Sequence, residues 1–248
     1  MTEFGELHRL GRPLLLPNAW DVASAFALAE AGFMAVGTTS LGVAAANGVP
    51  DGVGLARAET LELVRRLRGL PVPLTVDVES AGSDFALELY EAGAAGINVE
   101  DGRAGGGLAS IGEQVEVIGA IKQAAPRLFV NARVDTYWLG VDRSETKDRA
   151  EAYLAAGADG VFVPGVRADD EIRALPGPLN VLLLPGMTVG HLAGLGVARI
   201  SMGSLLYRAA LDAALVTAVA IQEGASAPAD VRTYAETDRF GQAAHGGR

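Results

Sequence analysis

The chain has no cysteine among its 248 residues. Disulfides, thiolate nucleophiles and cysteine-ligated zinc are therefore excluded. Histidine is nearly as scarce. There are three, and His8 and His245 lie near the termini, so a metal centre built on imidazole is not expected. The third, His191, falls at a predicted helix and is assigned a surface or packing role. No apolar run reads as long enough to cross a bilayer, and no basic segment followed by an apolar one opens the chain. Positive charge is in deficit as well: 20 Lys and Arg stand against 30 Asp and Glu, a formal charge of −10. That balance argues against nucleic acid or an anionic membrane as a partner. The expectation is a cytoplasmic protein, half of whose residues are hydrophobic, with length for one α/β barrel or two smaller domains.

What the sequence does contain is an alternation of short apolar strands and amphipathic helices. Strands are expected at Leu14–Leu16, Phe33–Val36, 73–79, 96–101, Leu128–Asp135, Gly160–Val163, Leu179–Leu184 and Ala198–Met202. Helices are expected after Asp21 and over about 84–92, 111–125, 144–156, 168–174, 189–195 and 204–221, and another carries Leu61, Val64 and Leu67 on one face. Gly32, Gly93, Gly157 and Gly196 each sit at a helix C-terminus just before a strand. Eight strand–helix units without a linker predict one (β/α)8 barrel of the TIM type over residues 1–248. An open doubly wound sheet is the alternative, and it lacks its Gly-x-Gly-x-x-Gly turn. Segment 41–54, with Asn47-Gly48 and Pro50-Asp51-Gly52, reads as one long loop. Arg103–Gly107 reads as a mobile glycine-rich loop.

A barrel concentrates function just beyond the C-terminal ends of its strands. Thr39 and Ser40, Asp77 and Glu79, Glu100 and Asp101, and Arg133 and Asp135 fall there, and polar residues look scarce elsewhere in the strands. On an extended strand Asp77 and Glu79 project the same way, and Glu100 on a neighbouring strand would join them. Three carboxylates so placed repel unless a cation or a shared proton relieves them. The competing role is helix capping, but a cap needs one acid per loop rather than a cluster.

Five segments taken together are specific. Leu16-Pro-Asn-Ala-Trp-Asp21, Val76-Asp-Val-Glu79, Gly96-Ile-Asn-Val-Glu-Asp101, Asn131-Ala-Arg-Val-Asp135 and Gly196-Val-Ala-Arg-Ile-Ser-Met-Gly203 resemble, in order, the isocitrate lyase/phosphoenolpyruvate mutase superfamily. The resemblance implies an α/β barrel whose last helix is exchanged between subunits of dimers that pair into homotetramers. Residues 204–248 would be the helical segment used in that assembly. It also implies Mg²⁺, with Mn²⁺ as a substitute, and a small carboxylate substrate of the 2-oxo acid type. By residue match, Asp77, Glu79 and Glu100 become the metal-site acids. Main-chain N–H groups of Thr39, Ser40 and Leu41 would hold a carboxylate. Arg133 would offer its fork to a carboxylate or enolate oxygen, a role compatible with an internal salt bridge to the acids. Asp51 would lie near the reacting centre, although Pro-Asp-Gly also suits a plain turn.

Departures from the family narrow the function. The tricarboxylate lyases carry Lys-x-Cys-Gly-His where this chain reads Asp101-Gly-Arg-Ala-Gly-Gly-Gly-Leu-Ala-Ser110. The Lys and Asn of the mutase loop are missing too, and Gly165 stands where the lyases have glutamate. The expectation is a Mg²⁺-dependent lyase that cleaves a C–C bond in a small 2-oxo or 2-hydroxy acid, like an oxaloacetate decarboxylase or an acylpyruvate- or malate-type lyase, through a metal-stabilised enolate. The alternatives are P–C chemistry, as in phosphoenolpyruvate mutase or phosphonopyruvate hydrolase, and a non-catalytic barrel that binds a 2-oxo acid.

Overall fold

The computed structural model describes residues 3–246. Its strands are β1 (Leu14–Leu16), β2 (Asn18–Ala19), β3 (Val36–Thr38), β4 (Leu74–Asp77), β5 (Gly96–Glu100), β6 (Gly102–Arg103), β7 (Gly107–Leu108), β8 (Phe129–Arg133), β9 (Gly160–Val163), β10 (Leu179–Leu182) and β11 (Arg199–Ser201). Between and after them run α1 (Val22–Glu30), α2 (Ser40–Ala46), α3 (Arg57–Arg66), α4 (Ser83–Ala92), α5 (Ile111–Ala124), α6 (Thr136–Leu139), α7 (Thr146–Ala155), α8 (Asp169–Ala174), α9 (Val189–Gly194), α10 (Leu205–Gln222) and α11 (Tyr234–Gly246). All strands but β6 and β7 join one parallel sheet, in the order β1-β11-β10-β9-β8-β5-β4-β3-β2.

The two ends of that order are consecutive pieces of one extended segment, so the sheet is a ring of eight strands with the first one split. Pro17 makes the split, because it has no N–H to give a ladder. Before it, β1 pairs with β11; after it, β2 pairs with β3. The Asn18 side chain spans the seam. Its Nδ2 donates to the Thr38 carbonyl at 2.7 Å, and its Oδ1 accepts from the Met202 and Gly203 amides at 3.1 and 2.9 Å. The barrel expected from the sequence is therefore the observed fold.

Alternation along the strands divides the apolar residues into two cores. Val76, Ile97, Val99, Val130, Val161, Val181 and Ile200 belong to the large annular core between barrel and helices. Phe4, Leu14, Leu16, Ala35 and Phe129 form a separate plug. Gly96 is required beside it, since a Cβ there would stand 3.0 Å from both the Phe129 carbonyl and the Phe4 ring. The glycines at the four expected helix ends all have positive φ, from 83° at Gly196 to 113° at Gly93, as a left-handed cap demands.

Three expectations are corrected. Segment 41–54 is not one loop: Thr39 opens α2, and the alanine-rich run to Ala46 is helical. Arg103–Gly107 is the turn side of a short β6–β7 hairpin, with Gly102 paired to Leu108 and Arg103 to Gly107. Gly105 and Gly106 supply its positive φ values of 98° and 91°. Finally, α10 is 18 residues long with a mean hydropathy of 1.4, which by length and composition is enough to cross a membrane. None of its residues is buried within this chain. By contrast α11 folds back onto α1, with Arg232 and Arg239 both on Glu30 and Phe240 buried.

His8 closes the plug from outside. Its ring stacks on Phe129 with centroids 4.4 Å apart, and Nδ1 donates to the Phe4 carbonyl at 3.1 Å. Burial, followed by the charge of Arg199, lowers its pKa to about 4. The folded state therefore holds His8 neutral in a range where the unfolded chain takes up a proton at about 6.5. Stability from this group is complete above pH 6.5 and is lost as pH falls towards 4. Denaturant unfolding should show His8→Gln losing less stability than wild type between those pH values, by roughly 2 kcal/mol.

Candidate active site

The C-terminal ends of the strands open into one cavity of about 350 Å³. Thr39, Ser40, Leu41, Asp51, Asp77, Glu79, Glu100 and Arg133 all line it. Of the residues singled out at the strand ends, Asp101 alone lies outside this lining. Asp135 is there too, and Arg103 faces in from the hairpin; Trp138, Phe162 and Leu182 add apolar wall.

The centre is an ion-paired cluster between β5 and β8, whose register sets Glu100 opposite Arg133. Arg133 Nη1 meets Glu100 Oε2 at 2.7 Å and its Nε meets Asp135 Oδ1 at 2.6 Å. Two carboxylates on one guanidinium hold Arg133 firmly in its charged form, above the usual arginine range, although burial opposes this. Glu100 behaves differently. Burial outweighs the pull of Arg133, and with Asp135, Asp77 and Glu79 nearby its carboxyl is pushed up to about 8. A single ion pair does not compensate for desolvation among so many acids. Asp51 is also raised, first by burial and then by Asp77 and Glu79, against the opposing Ser40 hydroxyl and Gly52 amide.

Asp77 ends β4 with its amide on the Thr38 hydroxyl at 2.9 Å. Ser40 donates to Asp77 Oδ2 at 3.2 Å and Asn98 Nδ2 to Oδ1 at 3.4 Å. The expected parallel projection of Asp77 and Glu79 is corrected here. The strand stops at Asp77, and Glu79 has a φ of 55° in the left-handed region, which turns its side chain out of the alternation. Its two oxygens accept from the Gly52 and Gly54 amides at 3.1 and 2.7 Å. Glu79 thereby pins the loop that carries Asp51, a tie between distant segments that no local spacing signals. Ser40 and Leu41 lie in the first turn of α2, where main-chain N–H groups have no helical acceptor, but the Thr39 N–H expected to join them is taken by the Ala19 carbonyl at 3.0 Å.

Asp101, next to Glu100, plays a structural part. It is fully buried and receives the Asp135 amide on Oδ1 at 2.8 Å, with Tyr153 Oη at 2.8 Å and Arg149 Nη1 at 3.2 Å on Oδ2. Arg149 also donates to the Ala109 carbonyl at 2.8 Å, so this knot anchors both feet of the β6–β7 hairpin. Mid-strand polar residues are not scarce either. Asn98, Asn131, Asn180 and Arg199 are all buried. The Asn-Ala-Arg and Ile-Asn-Val runs carried that signal, since an inward position of a barrel strand need not be apolar. Asp101→Ala should lower stability by about 3 kcal/mol, because it strands Arg149 and Tyr153 in the interior. Chemical denaturation would measure this, and proteolysis should cut first within 102–109.

The phosphoenolpyruvate phosphomutase family model matches residues 4–222. An uncharacterized protein of Mycobacterium tuberculosis is 44% identical over 243 residues, covering 94% of this chain and 93% of its own length. The 2-methylisocitrate lyase of Bacillus subtilis is 35% identical over 191 residues, covering 71% of this chain and 63% of that one. A phosphonopyruvate hydrolase solved with oxalate and Mg²⁺ has the same fold, with a TM-score of 0.83 at 23% identity over 96% of this chain and 93% of that one. The family's span takes in every strand of the barrel and every residue of the acidic cavity, and the chain belongs to the phosphoenolpyruvate mutase/isocitrate lyase superfamily of enzymes.

Proposed function

We propose that the barrel is a Mg²⁺-dependent lyase that cleaves a C–C bond in a small 2-oxo acid or 2-hydroxy acid. The observation that carries this reading is the cavity itself. It gathers the carboxylates of Asp51, Asp77, Glu79, Glu100 and Asp135 against only two guanidinium groups, Arg103 and Arg133.

The residues fit the metal. An all-oxygen donor set suits Mg²⁺, and a Glu100 carboxyl raised to about 8 by burial and by other acids marks a place where positive charge is wanting. Among the described residues no three acidic or histidine groups stand close enough to enclose an ion unaided. Asp77, Glu79 and Glu100 would therefore hold it in part through water, as Mg²⁺ allows. When bound, the ion supplies a Lewis acid for the ketone oxygen on which negative charge collects as the bond breaks.

The chain's own groups account for the rest. Amides of Ser40 and Leu41 orient the substrate carboxylate. Arg133 commits Nη1 and Nε to its acids and leaves Nη2 without a partner among the described residues, free for the same developing oxygen charge. Because Glu100 and Asp135 fix the guanidinium beforehand, little reorganisation is needed when charge appears. Asp51, raised by burial beside the Ser40 hydroxyl, is the carboxyl suited to carry one proton. Trp138, Phe162 and Leu182 keep water from the reacting carbon. P–C chemistry is the lesser reading. A phosphonate brings more negative charge, yet Arg103 is the only lining cation free of a carboxylate, and its Nη1 already donates to the backbone carbonyls of Glu100, Asp101 and Gly102.

The assembly belongs to the same proposal. Leu211, Leu215 and Val216 of α10 are 48%, 64% and 70% exposed, and exchange of this helix with a second copy would cover them.

Calorimetry with oxalate, a planar mimic of the pyruvate enolate, should show binding that requires Mg²⁺, and Asp77→Ala should weaken it at least about tenfold. Equal binding by Asp77→Ala would sink the metal assignment. Mg²⁺ affinity should rise with pH up to about 8, with release of a proton, because the ion competes with the Glu100 proton. Glu100→Gln should bind more weakly and flatten that profile. Turnover of 2-oxo acids at saturating ligand separates a lyase from a binding barrel. In light scattering, Leu215→Glu should shift the protein to a smaller oligomer.

A further inference from the structure

Among the described residues, the middle of the barrel holds a buried cation with no carboxylate bound to it. Arg199, inward on β11, is 0% exposed and is the bulkiest fully buried side chain among the described residues. Its hydrogen bonds go to neutral acceptors: Nη2 donates to Asn98 Oδ1 at 3.2 Å and Nε to Ser201 Oγ at 3.4 Å, while Nη1 makes none. The other guanidinium groups withdrawn into the protein are clasped by acids, Arg133 by Glu100 and Asp135 and Arg149 by Asp101 and Glu145. Arg199 has no such partner among the described residues.

Stability gives no reason for such a group. Burying a cation without a carboxylate costs folding free energy, and an apolar side chain of similar length would fill the space without that cost. Its field points to another reason. Burial pulls the guanidinium down to about 9, and Asp77 is the one group that draws it back up. The connection is also made by hydrogen bonds. Asn98 Oδ1 takes both Arg199 Nη2 and Asn131 Nδ2, at 3.2 and 2.9 Å, which leaves its Nδ2 to face Asp77 Oδ1 at 3.4 Å. A positive charge is thus linked through the Asn98 amide to the acid that begins the cavity's carboxylate set.

We propose that Arg199 is a buried counter-charge that tunes the cavity for an anionic ligand, making it a specificity-determining residue rather than a packing one. It weakens the hold of the acids on a cation and strengthens the hold of the loaded cavity on a carboxylate. This rests on the metal and 2-oxo acid reading of the same site.

The sign of the effect separates the proposal from a structural role. Arg199→Met removes the charge at similar length; Arg199→Lys keeps it. Mg²⁺ binding, oxalate binding at saturating Mg²⁺ and thermal unfolding are measured for both variants and wild type. Arg199→Met is expected to bind Mg²⁺ about tenfold tighter and oxalate about tenfold more weakly, and to unfold at no lower temperature. Arg199→Lys is expected to stay close to wild type in both affinities. Loss of both affinities together with a fall in melting temperature would overturn the proposal, as would unchanged affinities in Arg199→Met or its failure to fold. If wild-type protein binds no Mg²⁺, the reading of the site fails on its own account. Arg199 is then judged by the other arms: equal oxalate binding, or a lower melting temperature in Arg199→Met, overturns the counter-charge, and weaker oxalate binding with unimpaired melting supports it.

Discussion

Carboxylates crowded at one end of a barrel repel one another, and most features of this site follow from how that repulsion is contained. Arg133 takes two of them at once, Glu100 and Asp135. Glu79 is diverted to the amides of Gly52 and Gly54, and Asp101 is sealed into a knot with Arg149 and Tyr153. Each acid thereby acquires its own compensation and its own chemical character. Glu100 receives the least, since its one arginine is shared and its surroundings are dry, and it keeps an affinity for protons that an exposed glutamate lacks. Neighbouring residues of one type come to do different work because their partners differ.

The barrel was legible in the sequence because its signals are local and repeated. Short apolar runs, helical stripes and a glycine before four of the strands recur with little variation, and each reports on the few residues around it. The clustering of Asp77, Glu100 and Arg133 was legible at one remove, since a parallel barrel brings all strand C-termini to one rim, whereas Asp51, on a loop, was placed by the family resemblance alone. Geometry within the rim was not. That Glu79 leaves the strand alternation depends on one backbone dihedral angle and on amides 25 and 27 residues away. The helix at Ser40–Ala46 was hidden by flanking turn residues, and the hairpin at 102–108 by its glycines. The polar layer of Asn98, Asn131, Asn180 and Arg199 was overlooked because a buried strand was expected to be apolar on both faces, whereas the inward face of a barrel answers to the site above it.

Two cores with different tasks result. The annular core between strands and helices is aliphatic and supplies most of the apolar burial. The inner column is mixed: an aromatic and aliphatic plug at one end, amides and a guanidinium in the middle, and carboxylates at the mouth. Substitutions facing outward from a strand should be felt mainly as packing, and those one residue along mainly as electrostatics.

The split strand at Pro17 has a consequence for the order in which the molecule is made. Asn18 belongs to the first strand, yet its side-chain Oδ1 is satisfied by amides 184 and 185 residues later. A ribosome delivers those amides only after the whole ring has been synthesised. Until then β1 lacks its partner β11, and the nascent sheet carries an open edge on each side. Closure is therefore the most non-local event in the barrel and carries the largest loop-closure entropy. The seam acts as a test of completeness: a chain cut short before Arg199 retains most of its strands but has neither β11 nor the Met202 and Gly203 amides with which to lock them into a ring.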